Sequence, residues 1–183
     1  MQVLNFLRPV SVIGLDETLE RLTLMTANEL QEIAIERLAA RGVELKDIAQ
    51  IVLELQRPFR TDLTLDDCVN NLVHVLRKRE VSHAVLTGIA LDELAEQKLL
   101  PEPLQSIVEC DDNLYGIDEV IPLSIVNVYG TIGLTNFGYL DKVKYGIIKE
   151  LDEEKDEVVN TFLDDIVAGL ASAAASRIAH SQD

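Results

Sequence analysis

A single compact multi-helix bundle of the all-α class is predicted from three observations. First, hydrophobic residues make up 48% of the 183, but aromatics only 4%, with no Trp. The core must be built from Leu, Ile, Val and Ala, and few Gly or Pro interrupt it, a composition that favours helices. Second, apolar residues recur at spacings of three and four, the period of an amphipathic helix. Third, the alternation expected of strands is missing almost everywhere. The length suits one domain with one sizeable core.

The elements follow in order. Residues 1–24, with Pro9, Gly14 and scattered apolar positions, read as an N-terminal extension or docked arm, and 25–183 as the helical domain. Thr26 and Glu29 form a capping box. Leu30, Ile33, Ala34 and Leu38 then share a face, and Gly42 stops the helix. Glu44 to Gln56 is a second helix, with Ile48, Ile51, Val52 and Leu55 on one side and Pro58 beyond its end. Thr64 and Asp67 cap a third, which carries Cys68, Leu72, Val75 and Leu76. Residues 81–98 read as a helix with a break at Gly88 and a wet side of Asp92, Glu93 and Glu96. A short helix runs from Pro101 through Val108, and 111–116 is a loop. Helices are expected at 117–130 and 132–151, although the β-branched run Val120–Val128 also suits a buried strand. The charge run Glu150–Glu157 reads as solvated surface, and a last helix is placed at 156–179.

Charge narrows the partners. Asp plus Glu number 32 against 16 Lys plus Arg, a net charge of −16. That argues against a nucleic-acid backbone, whose binding needs clustered cations, and against simple adhesion to an anionic membrane. Cys68 and Cys110 form no metal-spaced pair and read as reduced thiols. No secretory signal is evident, and a cytoplasmic protein is expected. Val120 to Leu140 is 21 residues without a charge, long enough to span a bilayer. Its Pro, Asn, Thr and three glycines favour a buried helix pair broken near Gly130–Gly133.

The chemistry resides in carboxylates beside apolar runs. Asp118 and Glu119 precede the uncharged segment. Asp141 lies three residues before Lys144, close enough to meet across a helix turn. Asp164 and Asp165 open the stretch Ile166–Ala175. Each has a plain alternative: helix-dipole complementarity for the first pair, a surface ion pair for the second, a solvent stripe for the third. Acids from different helices suit Mg²⁺, a hard cation that takes oxygen ligands, and Lys144 suits a phosphate. His74, His83 and His180 lack a nucleophile motif, and Gly130-Thr-Ile-Gly133 lacks the Gly-Lys-Ser/Thr of a phosphate loop.

Leu163-Asp-Asp-Ile-Val-Ala-Gly169, Ile117-Asp-Glu-Val120 and Tyr139-Leu-Asp-Lys-Val-Lys144 together resemble the phosphatidylglycerophosphatase A family. The resemblance is closer to its small soluble bacterial branch, some of whose members carry a low-temperature-requirement name, and extends over about residues 26–170. Tyr145 stands where that family has Pro. The resemblance implies an Mg²⁺-dependent phosphatase acting on phosphatidylglycerophosphate or a related phosphate monoester. It implies functional roles for Asp118, Glu119, Asp141, Lys144, Asp164 and Asp165, with metal most readily at Glu119, Asp141 and Asp165. The expected partner is a phosphate-bearing lipid or small molecule, with peripheral contact at the inner membrane face and a homo-oligomeric assembly. The competing expectation is a noncatalytic helical oligomer that binds or regulates through the Val120–Leu140 segment.

Overall fold

The computed structural model describes residues 25–154 and 158–181; the expected extension at 1–24 lies outside them. Among the described residues there are nine α-helices, one 3-10 turn and no strand. They are α1 (Ala27–Ala40), α2 (Leu45–Gln56), α3 (Leu65–Leu76), α4 (Arg79–Glu96), α5 (Leu104–Glu109), α6 (Ile117–Val126), α7 (Gly130–Val143), α8 (Ile147–Glu153) and α9 (Leu163–His180). The all-α expectation holds.

The first three helices start where local chemistry says they should. Thr26 and Thr64 each complete a reciprocal capping box, with Glu29 and Asp67. In α2 the apolar stripe of Ile48, Ile51 and Val52 is buried as its spacing demands.

Helix α9 is the axis of the fold. It packs against α2, α3, α4, α6, α7 and α8, and every residue from Leu163 to Ser176 is buried. A helix hydrophobic all round belongs in the middle of a bundle, and the Ala-rich run Ala171–Ala175 lets six neighbours approach it.

Two glycines set the closest approaches. A Cβ at Gly169 would lie 2.9 Å from Pro122 Cβ and 3.4 Å from the Pro122 carbonyl oxygen. At Gly88 a Cβ would lie 3.1 Å from Phe162 Cβ and press on the tip of Ile166. Gly88 does not break α4, as the sequence suggested; it is a packing contact inside an unbroken helix.

Helices α6 and α7 clasp α9 as a hairpin. Gly133 sits against both the Val126 carbonyl and Ser176, a contact that a straight helix from 126 to 133 would not allow. The reversal is the 3-10 turn Asn127–Tyr129 followed by Gly130 at φ +75. Ser176 Oγ ties it down by donating to the Tyr129 carbonyl at 2.7 Å. The break is therefore where the glycines placed it, and Val120–Val126 is helix rather than strand. The pair is not wholly buried, however: only 28% of its most apolar window is covered. Val120, Val128, Ile132, Leu134 and Tyr139 face outward.

Three other expectations change. The 132–151 segment divides at Lys144–Gly146 into α7 and α8. Helix α9 begins at Leu163, not near 156. Asp92 is fully buried rather than wet, while Glu93 and Glu96 pair with Arg37 and Arg41.

Gly169→Ala should lower stability by about 1–3 kcal/mol, because the rigid Pro122 ring cannot yield. Gly88→Ala should cost less, since the flexible Ile166 tip can rotate away. Urea unfolding of both variants checks the order.

Candidate functional site

The Gly169–Pro122 contact places the acids. Asp165 lies one turn before Gly169 on α9, and Asp118 one turn before Pro122 on α6. Close approach at the glycine therefore brings Asp118 beside Asp165. Helix α7 returns along α9 from Gly133 to Asp141 and delivers its carboxylate to the same place. Asp165 accordingly senses the charges of Asp164, Asp141, Lys144 and Asp118, and Asp118 senses Asp141.

Lys144 terminates α7 with φ +38, a left-handed conformation unfavourable for a residue with a Cβ. Its Nζ donates to Asp152 Oδ1 at 2.6 Å and to Asp164 Oδ2 at 2.9 Å. Burial alone would lower the Lys144 pKa, but the Asp164 and Asp152 carboxylates outweigh it and raise it. Asp164 Oδ1 accepts the Asp165 N–H at 2.9 Å.

Burial pushes the Asp164 carboxyl up, and Lys144 opposes the rise. Asp165 is also pushed up, by burial and then by the neighbouring Asp164 and Asp141 charges. Asp118 rises chiefly through burial, and its Oδ1 is buried without a hydrogen-bond partner.

Five of the six sequence-predicted residues thus converge: Asp118, Asp141, Lys144, Asp164 and Asp165. Glu119 lies one position round α6 on its exposed side. Residues the sequence reading missed also join. Asp152, taken as part of a solvated charge run, pairs with Lys144. Asp111 lies in electrostatic range of both Asp118 and Asp164. It lines a polar crevice of about 50 Å³ with Cys110, Asp152, Asn160, Thr161 and Asp164. Asp92 contacts the start of α9 directly.

The donor chemistry, though not a preformed set of ligands, is of the kind a hard cation takes. The donors are hard oxygens, one buried carboxylate oxygen lacks a partner, and the mutual repulsion of Asp118, Asp141 and Asp165 is what a cation relieves. Among the described residues no group of three or more acidic, His or Cys side chains is placed so as to hold a metal ion. Mg²⁺ does not need one, because it commonly binds through one or two carboxylates, waters and substrate phosphate. A larger cleft, about 760 Å³, lies at the other end of α9 beside Phe59, Ile132 and Ile178. Its charged wall residues, Arg60 and Asp62, neutralise each other, so it offers volume without the acid cluster's chemistry.

A family model for phosphatidylglycerophosphatase A matches residues 34–180, and the chain belongs to that family. It is 66% identical to the uncharacterized protein YpjQ of Bacillus subtilis (strain 168), over 85% of this chain and 88% of YpjQ. The crystal structure of that protein superposes with a TM-score of 0.82, covering 86% of this chain and 97% of the other. YutG from the same organism is 53% identical over 84% of this chain and 92% of its own. The crystal structure of the low temperature requirement C protein of Listeria monocytogenes is 57% identical, with a TM-score of 0.81, covering 83% of this chain and 96% of that one.

Two outcomes follow from the electrostatics. Lys144→Met leaves Asp164 buried without its cation and should cost about 3 kcal/mol. Asp152→Asn, at a more open position, should cost under about 1 kcal/mol. Burial raises Asp92 from its ordinary 3.8 to about 8. Between those values the folded chain keeps a proton that the unfolded chain has released, so stability falls as pH rises through that window. Urea titrations from about pH 5 to pH 8 should show the decline, and Asp92→Asn should make it shallower, the remainder coming from Asp164, Asp165 and Asp118, whose carboxyls burial also raises.

Proposed function

We propose that the chain is an Mg²⁺-dependent phosphatase that hydrolyses a phosphate monoester borne by a lipid headgroup, with phosphatidylglycerophosphate as the substrate to try first. The observation that carries this is the convergence of Asp118, Asp141, Asp164 and Asp165 with Lys144, from three helices, in a chain of the phosphatidylglycerophosphatase A family.

One or two of Asp118, Asp141 and Asp165 would hold Mg²⁺, with water and the substrate phosphate as its other ligands; Asp118 replaces Glu119 among these candidates because Glu119 is exposed. The bound ion supplies charge neutralisation at phosphoryl oxygens and a more acidic water. Lys144 carries three N–H donors. Two are directed to Asp152 and Asp164, and the third is available to a phosphate oxygen. Asp164 holds the ammonium in place rather than meeting the phosphate, which it would repel. In the reaction a water oxygen joins phosphorus, the phosphorus–ester oxygen bond breaks, and a proton passes to the released hydroxyl.

The apolar rim supports a lipid-borne substrate. Ile117 and Val120 flank Asp118, while Tyr139 and Val143 flank Asp141, and all four are exposed. Such a rim allows peripheral contact with a bilayer's acyl boundary on the cytoplasmic face, which the net charge of −16 alone would discourage. Phosphate release from phosphatidylglycerophosphate in mixed micelles should require Mg²⁺. It should fall roughly 100-fold or more in folded Asp165→Ala and Asp118→Asn, and only a few-fold in Glu119→Gln. Undiminished turnover in both Asp variants would reject the site.

The same exposed α6–α7 face also favours a second reading, a noncatalytic homo-oligomer joined through Val120, Val128 and Leu134. Val120→Glu and Leu134→Glu should then dissociate the assembly in sedimentation analysis, and wild type should release no phosphate.

A further inference from the structure

We propose that Asp92 is a positioning residue of the acid site, fixing the first turn of α9 and thereby the direction of the Asp164 and Asp165 carboxylates. Its kinetic consequence rests on the phosphatase reading; its geometry does not. Asp92 lies on α4 and is fully buried. Its Oδ1 and Oδ2 share the Phe162 N–H, at 3.1 and 3.3 Å, and its Oδ2 also accepts the Leu163 N–H at 3.0 Å. These are amides that a helix start leaves without internal partners. The residue at the local cap position, Phe162, has no side chain able to serve them. An acid on another helix therefore does the work of a cap.

The next contacts lead into the site. Two residues beyond Phe162 stands Asp164, whose Oδ1 accepts the Asp165 N–H and whose Oδ2 accepts from Lys144. A rotation of this turn moves both carboxylates. Gly88, one turn before Asp92, lets Phe162 and Ile166 lie against α4 and so brings the acid within reach. Arg41 braces the approach from α1, donating to the Val159 carbonyl at 2.8 Å and Asn160 Oδ1 at 3.0 Å. Its guanidinium also pairs with Glu96, which accepts the Val159 N–H. A fully buried carboxyl is a costly choice for a simple cap, because Ser or Asn would satisfy an amide with less desolvation. What the carboxyl adds is a fork: Oδ2 spans two successive amides while Oδ1 holds the first of them from a second direction, which fixes the turn's rotation as well as its start.

The test measures amide hydrogen exchange along α9 and the kcat and KM of Mg²⁺-dependent phosphate release from phosphatidylglycerophosphate, in wild type, Asp92→Ala and Asp92→Asn. In Asp92→Ala, exchange of the Phe162–Ile166 amides should quicken at least roughly tenfold while Ala171–Ala175 stay near wild type. In the same variant kcat should fall about 30-fold, with KM within about threefold. Asp92→Asn, with one acceptor oxygen, should be intermediate in both. Uniformly faster exchange along α9 would make Asp92 a general stabiliser and overturn the proposal. So would an Asp92→Ala protein with wild-type exchange and kcat. If Asp92→Ala does not fold, Asp92→Asn decides alone: a local increase supports the proposal, and none overturns it. If wild type releases no phosphate, the phosphatase reading falls, and the exchange pattern still decides whether Asp92 fixes the turn.

Discussion

Helix α9 is enclosed by its neighbours from Leu163 to Ser176, so the two carboxylates in its first turn have almost no water to ionise into. Much of the surrounding architecture meets that constraint. Lys144 adopts an unfavourable backbone conformation and reaches Asp164. Asp152 shares the ammonium from α8. Asp165 has no such cation of its own; it faces Asp141 and Asp118, whose charges add to the effect of burial. Acids left in mutual repulsion in a half-open site are a costly arrangement for stability, and one that a divalent cation would relieve.

Close packing and the site are one feature. Gly169 allows the backbone of α6 to touch α9, and the same contact sets Asp118 beside Asp165 one turn away. The hairpin reversal at Asn127–Gly130 then returns α7 so that Asp141 arrives from the opposite direction. Small residues on the central helix thus do more than fill space. They fix where carboxylates from three helices meet.

Much of this was legible in the sequence. Asp118, Asp141, Asp164 and Asp165 stood out because acids beside long uncharged runs must border packed surface. Capping boxes gave the starts of α1 and α3, and the glycines near 130 gave the reversal. Asp92 was not legible. It lies near Glu93 and Glu96, and three acids within five residues look like a solvated face. Its burial depends on Gly88 and on two amides some seventy residues later, which no local pattern contains. The same long-range contact explains why the start of α9 was misplaced: the charge run before it continues a helical rhythm, but the first turn forms where Asp92 receives it. Glu119 was preferred to Asp118 as a metal ligand, but it is exposed; the Pro122–Gly169 contact, which turns its neighbour inward, is not visible in the local sequence.

The most direct test of the acid cluster as a cation site is anomalous scattering from crystals soaked in Mn²⁺, a scatterer with similar oxygen preference to Mg²⁺. A peak among Asp118, Asp141 and Asp165, absent in Asp165→Asn crystals, is the predicted result. Well-ordered crystals with no peak there, or with manganese bound only at surface carboxylates such as Glu119, would contradict it.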